Sequence, residues 1–135
     1  MRIGSSIVYC RGFDQASQLS PSYLREGDGL HLCPEPTNKY DCNAVLVVTR
    51  HNEHVGRITR AHSRGCASML RDTSSLVVRI QTRLVRFEEE EVIKHNEVKY
   101  TRQQMVISLK FYDKIETTAA LTSQMDEVGL SFILT

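Results

Sequence analysis

The sequence predicts a small, mainly β (α+β) domain, built as a barrel or a strongly curved sheet with one or two helices. Three observations indicate this class. Six runs are rich in β-branched and aromatic residues, turn-forming residues separate them, and two stretches carry helix start or stop signals. A chain of 135 residues is expected to fold as one domain.

The first four strands follow from short apolar runs bounded by turn residues. In order, they span residues 3–13, 30–33, 44–48 and 54–58. The first strand carries Val8 and Tyr9 and meets a glycine, Gly12, near its end. Residues 15–28 are polar and are expected to form a connection, and the turn at 51–53 joins the third and fourth strands into a hairpin.

A helix is predicted after the fourth strand, because Thr59 can cap a helix that runs from about residue 60 to residue 70. Residues 75–87 alternate apolar and polar side chains and predict a strand. The four glutamates at 88–91 predict a solvated loop, and residues 98–112 predict another long strand.

The last part of the chain is expected to pack as a tail, residues 114–135, on a main domain that spans residues 1–113. Residues 116–128 predict a second helix, and Gly129 is a typical helix stop. Residues 130–134 are expected to add a last strand or to pack as an extended tail.

The composition is that of an ordinary globular protein, with 41% hydrophobic and 24% charged residues. No apolar run approaches the roughly 20 residues of a membrane span, and the first residues do not form a signal peptide. The four cysteines show no Cys-x-x-Cys spacing, so we expect reduced thiols. We therefore expect a nuclear or cytoplasmic protein that is not secreted and has no membrane partner.

Charge is unevenly distributed along the chain. Residues 50–86 contain eight arginines, no lysine and two acidic residues, which gives this block a net charge of +6. The segments before and after it are net acidic. Arginine suits two-pronged contacts with phosphate and stacking on bases. The alternative is that these arginines only solvate the faces of a helix and two strands.

The turn at residues 34–45 contains an aromatic side chain beside an acid, Tyr40 and Asp41. Turn formation favours the Pro, Asn and Asp residues of this segment but does not require a tyrosine. An aromatic ring next to a carboxylate can stack a base and accept a hydrogen bond from a hydroxyl. The alternatives are that Tyr40 covers the sheet edge and that Tyr9 is a residue of the barrel core.

Signals for catalysis or metal binding are weak. Cys66 lies four residues after His62, so the two would share a helix face, but a buried structural cysteine is the simpler interpretation. His31, Cys33 and Cys42 do not have the spacing of a zinc site. We therefore expect no metal, no cofactor and no enzymatic activity.

Two segments of the chain resemble the HIRAN domain, a module of chromatin and repair ATPases that also occurs in stand-alone proteins. The segments read Leu30-x-Leu32-x-x-Glu35-Pro36-x-Asn38-x-Tyr40-Asp41-x-Asn43-Ala44-Val45 and Val55-Gly56-Arg57-Ile58. The resemblance covers roughly residues 5 to 112. It implies an OB-like small β-barrel with helices, which can hold the 3′-hydroxyl end of single-stranded DNA.

The resemblance also implies roles for individual residues. Tyr9 and Tyr40 would sandwich the terminal base, Asp41 would meet the terminal hydroxyl, and Asn38 would lie near the site. Two arginines would contact phosphates, at positions where the family has a histidine and a lysine. These are Arg57 and Arg60.

Three positions depart from the pattern of the DNA-end binder. Val8 replaces an arginine, Cys10 replaces a second aromatic residue, and Lys39 replaces a proline of the motif. The first two changes would remove one phosphate contact and one stacking surface.

Two functional hypotheses follow. The first is a non-catalytic module that holds the 3′ end of single-stranded DNA in DNA repair or replication-fork processing, with a helicase or nuclease as a possible protein partner. The second is a protein-interaction module on the same fold that has lost the DNA-end pocket.

Overall fold

A computed structural model describes residues 1–12, 23–72, 79–93 and 99–135. Strands dominate it, and the elements follow in the order β1 (Arg2–Arg11), β2 (Leu30–Pro34), β3 (Val45–Thr49), β4 (His54–Ile58), α1 (Arg60–Asp72), β5 (Arg79–Ile93), β6 (Lys99–Tyr112), α2 (Thr118–Glu127) and β7 (Ile133–Leu134). A short 3₁₀ turn at Ile115–Thr117 leads into α2. The predicted mainly β class with two helices is confirmed.

All strand pairs of the sheet are antiparallel, in the order β2-β3-β4-β1-β6-β5. β6 pairs with β1 from Arg2 to Arg11. Two strands pair with the other edge of β1. β7 pairs near the start of β1, at Gly4, and β4 pairs near the end of β1, at Cys10. The end of the chain is thereby built into the same sheet as its beginning.

The sheet is open, so of the two forms that the sequence predicted, a barrel or a strongly curved sheet, the closed barrel is not formed. Within the described residues, β2 and β5 form no ladder, and a single bridge joins Gly29 to Arg83. Two backbone hydrogen bonds support it, from the N–H of Gly27 to the carbonyl of Leu84 at 2.8 Å and from the N–H of Leu84 to the carbonyl of Asp28 at 2.9 Å. Among the described residues, the two end strands therefore come close without pairing as a ladder.

The acidic run at 88–91 is not a loop, as predicted, but part of β5. Its residues pair in register with β6, from Glu88 opposite Gln104 to Glu91 opposite Thr101. The side-chain amide of Gln104 donates to Glu88 at 3.1 Å, and Arg86 forms an ion pair with the same carboxylate at 3.0 Å. Glu88 thus has one partner on the neighbouring strand and one on β5 itself.

Other boundaries agree with the sequence to within a few residues. Gly129 has a φ of +76°, which favours glycine and ends α2 as predicted. Residues 13, 73–78 and 98, and much of the predicted connection at 15–28, lie outside the described residues.

The core lies between the sheet and the two helices. Its largest fully buried side chains include Leu84, Met105, Ile107, Leu109 and Phe111 from the two long strands. Residues after position 113 also contribute, since Leu121 and Met125 of α2 are completely buried. The ring of Phe132 meets Phe111 edge to face, with 5.6 Å between centroids. Residues 114–135 therefore complete the core of the domain.

Candidate nucleic-acid interface

The loop between β2 and β3 is held by the side chain of Asn38. Its Oδ1 accepts hydrogen bonds from the backbone N–H groups of Tyr40, at 2.9 Å, and Asp41, at 3.2 Å. The Oδ1 of Asp41 accepts in turn from the N–H of Asn43 at 2.9 Å. These are the local side-chain bonds that fix turns. They hold Tyr40 at the loop tip, where 86% of it is exposed.

Asn38 is itself held in place by the carboxylate of Glu35. Its Nδ2 donates to the Oε2 of Glu35 at 2.8 Å, and the Nε of Arg57 donates to the Oε1 of the same carboxylate at 3.2 Å. Glu35 thus joins β4 to the loop. Partial burial raises the pKa of Glu35, but the hydrogen bonds from Asn38 and Arg57 outweigh this and leave the pKa below its usual value.

This support should weaken in acid. A carboxyl group with a lowered folded-state pKa stabilises the fold fully above its ordinary pKa, 4.5 here, and loses this contribution as the pH falls through the lower folded-state value. We expect Glu35→Gln to cost about 0.5–1 kcal/mol of unfolding free energy near neutral pH, because Arg57 is partly solvated. Urea unfolding of both proteins at several pH values measures the difference, which should shrink below about pH 4. A difference that does not change with pH would contradict this assignment.

The tip of the loop and the first turns of α1 border a shallow cavity of about 290 Å³ that is open to solvent. We call it the loop cavity. It is lined by Tyr40, Asp41, Asn43, Arg60, Ser63 and Arg64. An aromatic ring, a carboxylate and two guanidinium groups therefore meet at one opening.

The arginines in and near the loop cavity differ in whether they have a partner within the protein. Arg60 and Arg64 are exposed and form no ion pair or hydrogen bond within the described part of the chain. Arg57, by contrast, binds Glu35. α1 carries no acidic residue in its own first turn, so the positive end of its dipole adds to the charge of the two arginines. The cavity is thus positive on its helix side.

Tyr9 contacts the first turn of α1 outside the loop cavity. Its ring stacks on the imidazole of His62, with 5.5 Å between centroids and 25° between planes. Its backbone carbonyl accepts from the N–H of Thr59 at 2.9 Å, which ties the start of α1 to β1. Tyr9 is half-buried, and it is not among the residues that line the loop cavity.

Val8 and Cys10, the two neighbours of Tyr9 in the sequence, have their side chains on the opposite face of β1. Val8 and Cys10 are completely buried in the core, because side chains alternate along a strand. At these two positions the chain therefore has core side chains beneath β1. Lys39, the third departure, places its Nζ 5.6 Å from the ring centroid of Tyr40.

The structure divides the six residues proposed from the sequence into three groups. It brings Tyr40, Asp41 and Arg60 together around the loop cavity. Asn38 and Arg57 hold the loop from behind, and Tyr9 stands apart on His62.

The sequence reasoning did not include Arg64, Ser63, Asn43, Glu35 or His62 in the site. Arg64 was detectable, because residues four apart on a helix share a face and Arg60 was already a candidate.

Thiol chemistry finds no support at Cys66. Burial raises the pKa of the thiols of Cys10 and Cys66 to about 12 each, whereas Cys33 and Cys42 are exposed. Since the thiolate is the reactive form, we expect iodoacetamide at about pH 8 to modify two cysteines in the folded protein and all four after unfolding. Mass spectrometry of the peptides distinguishes the sites. Modification of Cys66 in the folded protein would contradict its burial.

No group of three potential metal ligands occurs among the residues that the structure describes. In the same residues, no helix has the length and hydropathy needed to cross a membrane.

The fold and the loop define an OB-like α+β domain of the kind found in nucleic-acid-binding modules. The chain belongs to the HIRAN domain family, whose sequence model matches residues 3–112. The predicted family is thereby confirmed. No curated protein sequence matches the chain significantly.

Solved structures show the same fold. The crystal structure of the HIRAN domain of human HLTF has a TM-score of 0.67 at 19% identity and covers 99% of this chain and 94% of that one. The NMR structure of the same human domain has a TM-score of 0.56 at 18% identity, with 97% and 93% covered. A protein from Lactobacillus plantarum has a TM-score of 0.52 at 18% identity, with 83% and 98% covered. At these identities the likeness shows the fold alone.

Proposed function

We propose that this domain holds the 3′-hydroxyl end of single-stranded DNA, as a non-catalytic module of DNA repair or replication-fork processing. The observation that carries the proposal is the loop cavity, where Tyr40, Asp41 and Arg60 meet. Family membership supports a nucleic-acid ligand of this kind. Cleavage or unwinding would then be the work of a helicase or nuclease partner.

Each group of the loop cavity has a chemical role in this proposal. The terminal base stacks on the exposed ring of Tyr40, an interaction worth roughly 1–3 kcal/mol. One carboxylate oxygen of Asp41 is occupied by the N–H of Asn43, and the other accepts the hydrogen bond of the terminal hydroxyl. Arg60 contacts a phosphate at the positive end of α1.

The remaining candidates act around this centre. Asn38 and Arg57 hold the loop in its binding conformation through the contacts with Glu35. Tyr9 provides a second ring beside the first turn of α1, where it already stacks on His62.

The experiment compares two oligonucleotides of one sequence, one with a 3′-hydroxyl and one with a 3′-phosphate. A 3′-phosphate would bring an anion against Asp41, so we expect it to weaken binding by at least about tenfold in fluorescence anisotropy. A 5′-phosphate is the control for added charge and should leave the affinity nearly unchanged. Asp41→Asn removes the repulsion but can still accept from Asn43, so it should abolish the discrimination. If the domain bound the two 3′ ends with equal affinity, Asp41 would not recognise the 3′-hydroxyl.

A second candidate function, protein interaction, is favoured by an apolar surface beside α2 and β7. Ile115 and Leu134 are each more than half exposed there and line a cavity of about 810 Å³. Large exposed apolar patches often mark interaction sites. If no oligonucleotide binds even at low salt, where phosphate contacts are strongest, this function is favoured instead.

A further inference from the structure

A second depression lies next to the loop cavity, on the other side of Arg60 and Arg64. It has a volume of about 660 Å³ and lies between α1 and the end of α2. We call it the interhelical groove. Arg60 and Arg64 line both it and the loop cavity, so the two depressions meet at these side chains. A ligand longer than the loop cavity can therefore pass from one into the other.

The interhelical groove depends on a close approach of the chain to α1. A Cβ at Gly65 would overlap the backbone carbonyl of Val128 and would lie 3.2 Å from Leu130. The glycine thus lets the segment after α2 cross directly over the helix. The C-terminal wall of the groove lies at residues 124–129, outside the segment matched by the family model.

The two walls of the groove differ chemically. The α1 wall presents the guanidinium groups of Arg60 and Arg64, and the α2 wall presents Gln124 and Glu127. The side-chain carbonyl of Gln124 is buried and has no hydrogen-bond partner within the described residues. Since this oxygen is not accessible, the acceptor that the α2 wall offers to N–H groups of a ligand is the exposed carboxylate of Glu127. The groove thus favours a ligand with anionic groups along one edge and N–H donors along the other.

We propose that a single strand of DNA, with its 3′ end in the loop cavity, continues over Arg60 and Arg64 into the interhelical groove. The inference rests on the proposed function. The two arginines are separated by four residues, or about 6 Å along the helix axis, so they can contact successive phosphates. The bases then face α2, where Glu127 accepts hydrogen bonds from base amino groups. Several nucleotides before the 3′ end would therefore contribute to affinity.

The test needs a variant at a residue that lines the groove and not the loop cavity. Ala61 is exposed and lines only the groove, and Ala61→Glu places a carboxylate on its phosphate wall. Glutamate near a helix start is favourable for folding. Ala120→Glu is the matched control, since Ala120 is exposed near the start of α2 and lines neither depression. Both variants change the net charge equally.

We would measure binding of a dinucleotide and a decanucleotide with the same 3′ end, by competition against a fluorescein-labelled strand. We expect the decanucleotide to bind at least about tenfold more tightly to the unaltered domain. Ala61→Glu should lower the decanucleotide affinity about tenfold more than the dinucleotide affinity, because only the longer strand passes the new carboxylate. Ala120→Glu should change neither.

The outcomes separate this inference from the proposed function. If the dinucleotide binds with a 3′-hydroxyl preference but the decanucleotide is no tighter, the path through the groove is wrong and the end site stands. The path is equally wrong if Ala61→Glu and Ala120→Glu have the same effect on the decanucleotide. If neither oligonucleotide binds the unaltered domain, the proposed function and this inference both fail.

Discussion

Replacement of Gly56 by alanine is expected to lower the free energy of unfolding by about 1–3 kcal/mol, the cost of overpacking a close contact. A Cβ at Gly56 would overlap the backbone carbonyl of Arg11 and lie 3.1 Å from the Sγ of Cys10. Backbone cannot move aside as the end of a flexible side chain can. β4 would therefore have to separate from β1, where Arg11 pairs with Arg57.

Urea unfolding measures the effect, with Gly29→Ala as the control. Gly29 has no atom within 4 Å of the Cβ position and no positive φ, so its replacement should change the stability by less than about 0.5 kcal/mol. Equal midpoints for the two variants would show that β1 and β4 are not in close contact at Gly56. If Gly56→Ala were as stable as the unaltered protein, close packing would not explain why the motif has a glycine at this position.

The strands were predictable because their signals are local. Val45 and Val47 are completely buried and lie two residues apart, as the alternation of a strand requires. Met105, Ile107 and Leu109 repeat this spacing on β6. The same periodicity could not assign the glutamates at 88–91, because a charged run fits a solvated loop and a strand exposed to solvent equally well. Only the pairing with β6 decides between the two.

The candidate site was harder to predict, because its contacts are distant in sequence. Arg57 was expected to contact phosphate, but its guanidinium binds Glu35, which lies 22 residues earlier. No local pattern shows that this carboxylate lies beside both Arg57 and Asn38. The motif residues identified the loop, whereas their division between ligand contact and loop support depends on the tertiary fold.

The position of Val8 and Cys10 shows the same limit. In a comparison of sequences they flank Tyr9 and suggest a changed binding surface. On the strand their side chains are buried in the core, on the face of β1 opposite to Tyr9. The protein-interaction hypothesis has a separate argument in the apolar surface near β7.

Tyr40→Ala is expected to reduce the affinity for a 3′-hydroxyl single strand by about 5- to 150-fold, which corresponds to a loss of roughly 1–3 kcal/mol from one stacked base. The loss should not come from unfolding. Since 86% of Tyr40 is exposed, its removal should change the stability by less than about 0.5 kcal/mol. The loop should also stay in place, because Asn38 holds it through the backbone of residue 40 and not through the ring.

Tyr40→Phe is the matched variant, since it keeps the aromatic face and removes only the hydroxyl. Anisotropy titrations should place it within about twofold of the unaltered protein, because stacking needs the ring alone. If Tyr40→Phe binds as weakly as Tyr40→Ala, the hydroxyl and not the ring contacts the ligand. If both variants bind as tightly as the unaltered protein, the terminal base does not lie on Tyr40. The only ring left from the proposed pair would then be Tyr9, whose contact with His62 would have to open for a base to enter between them.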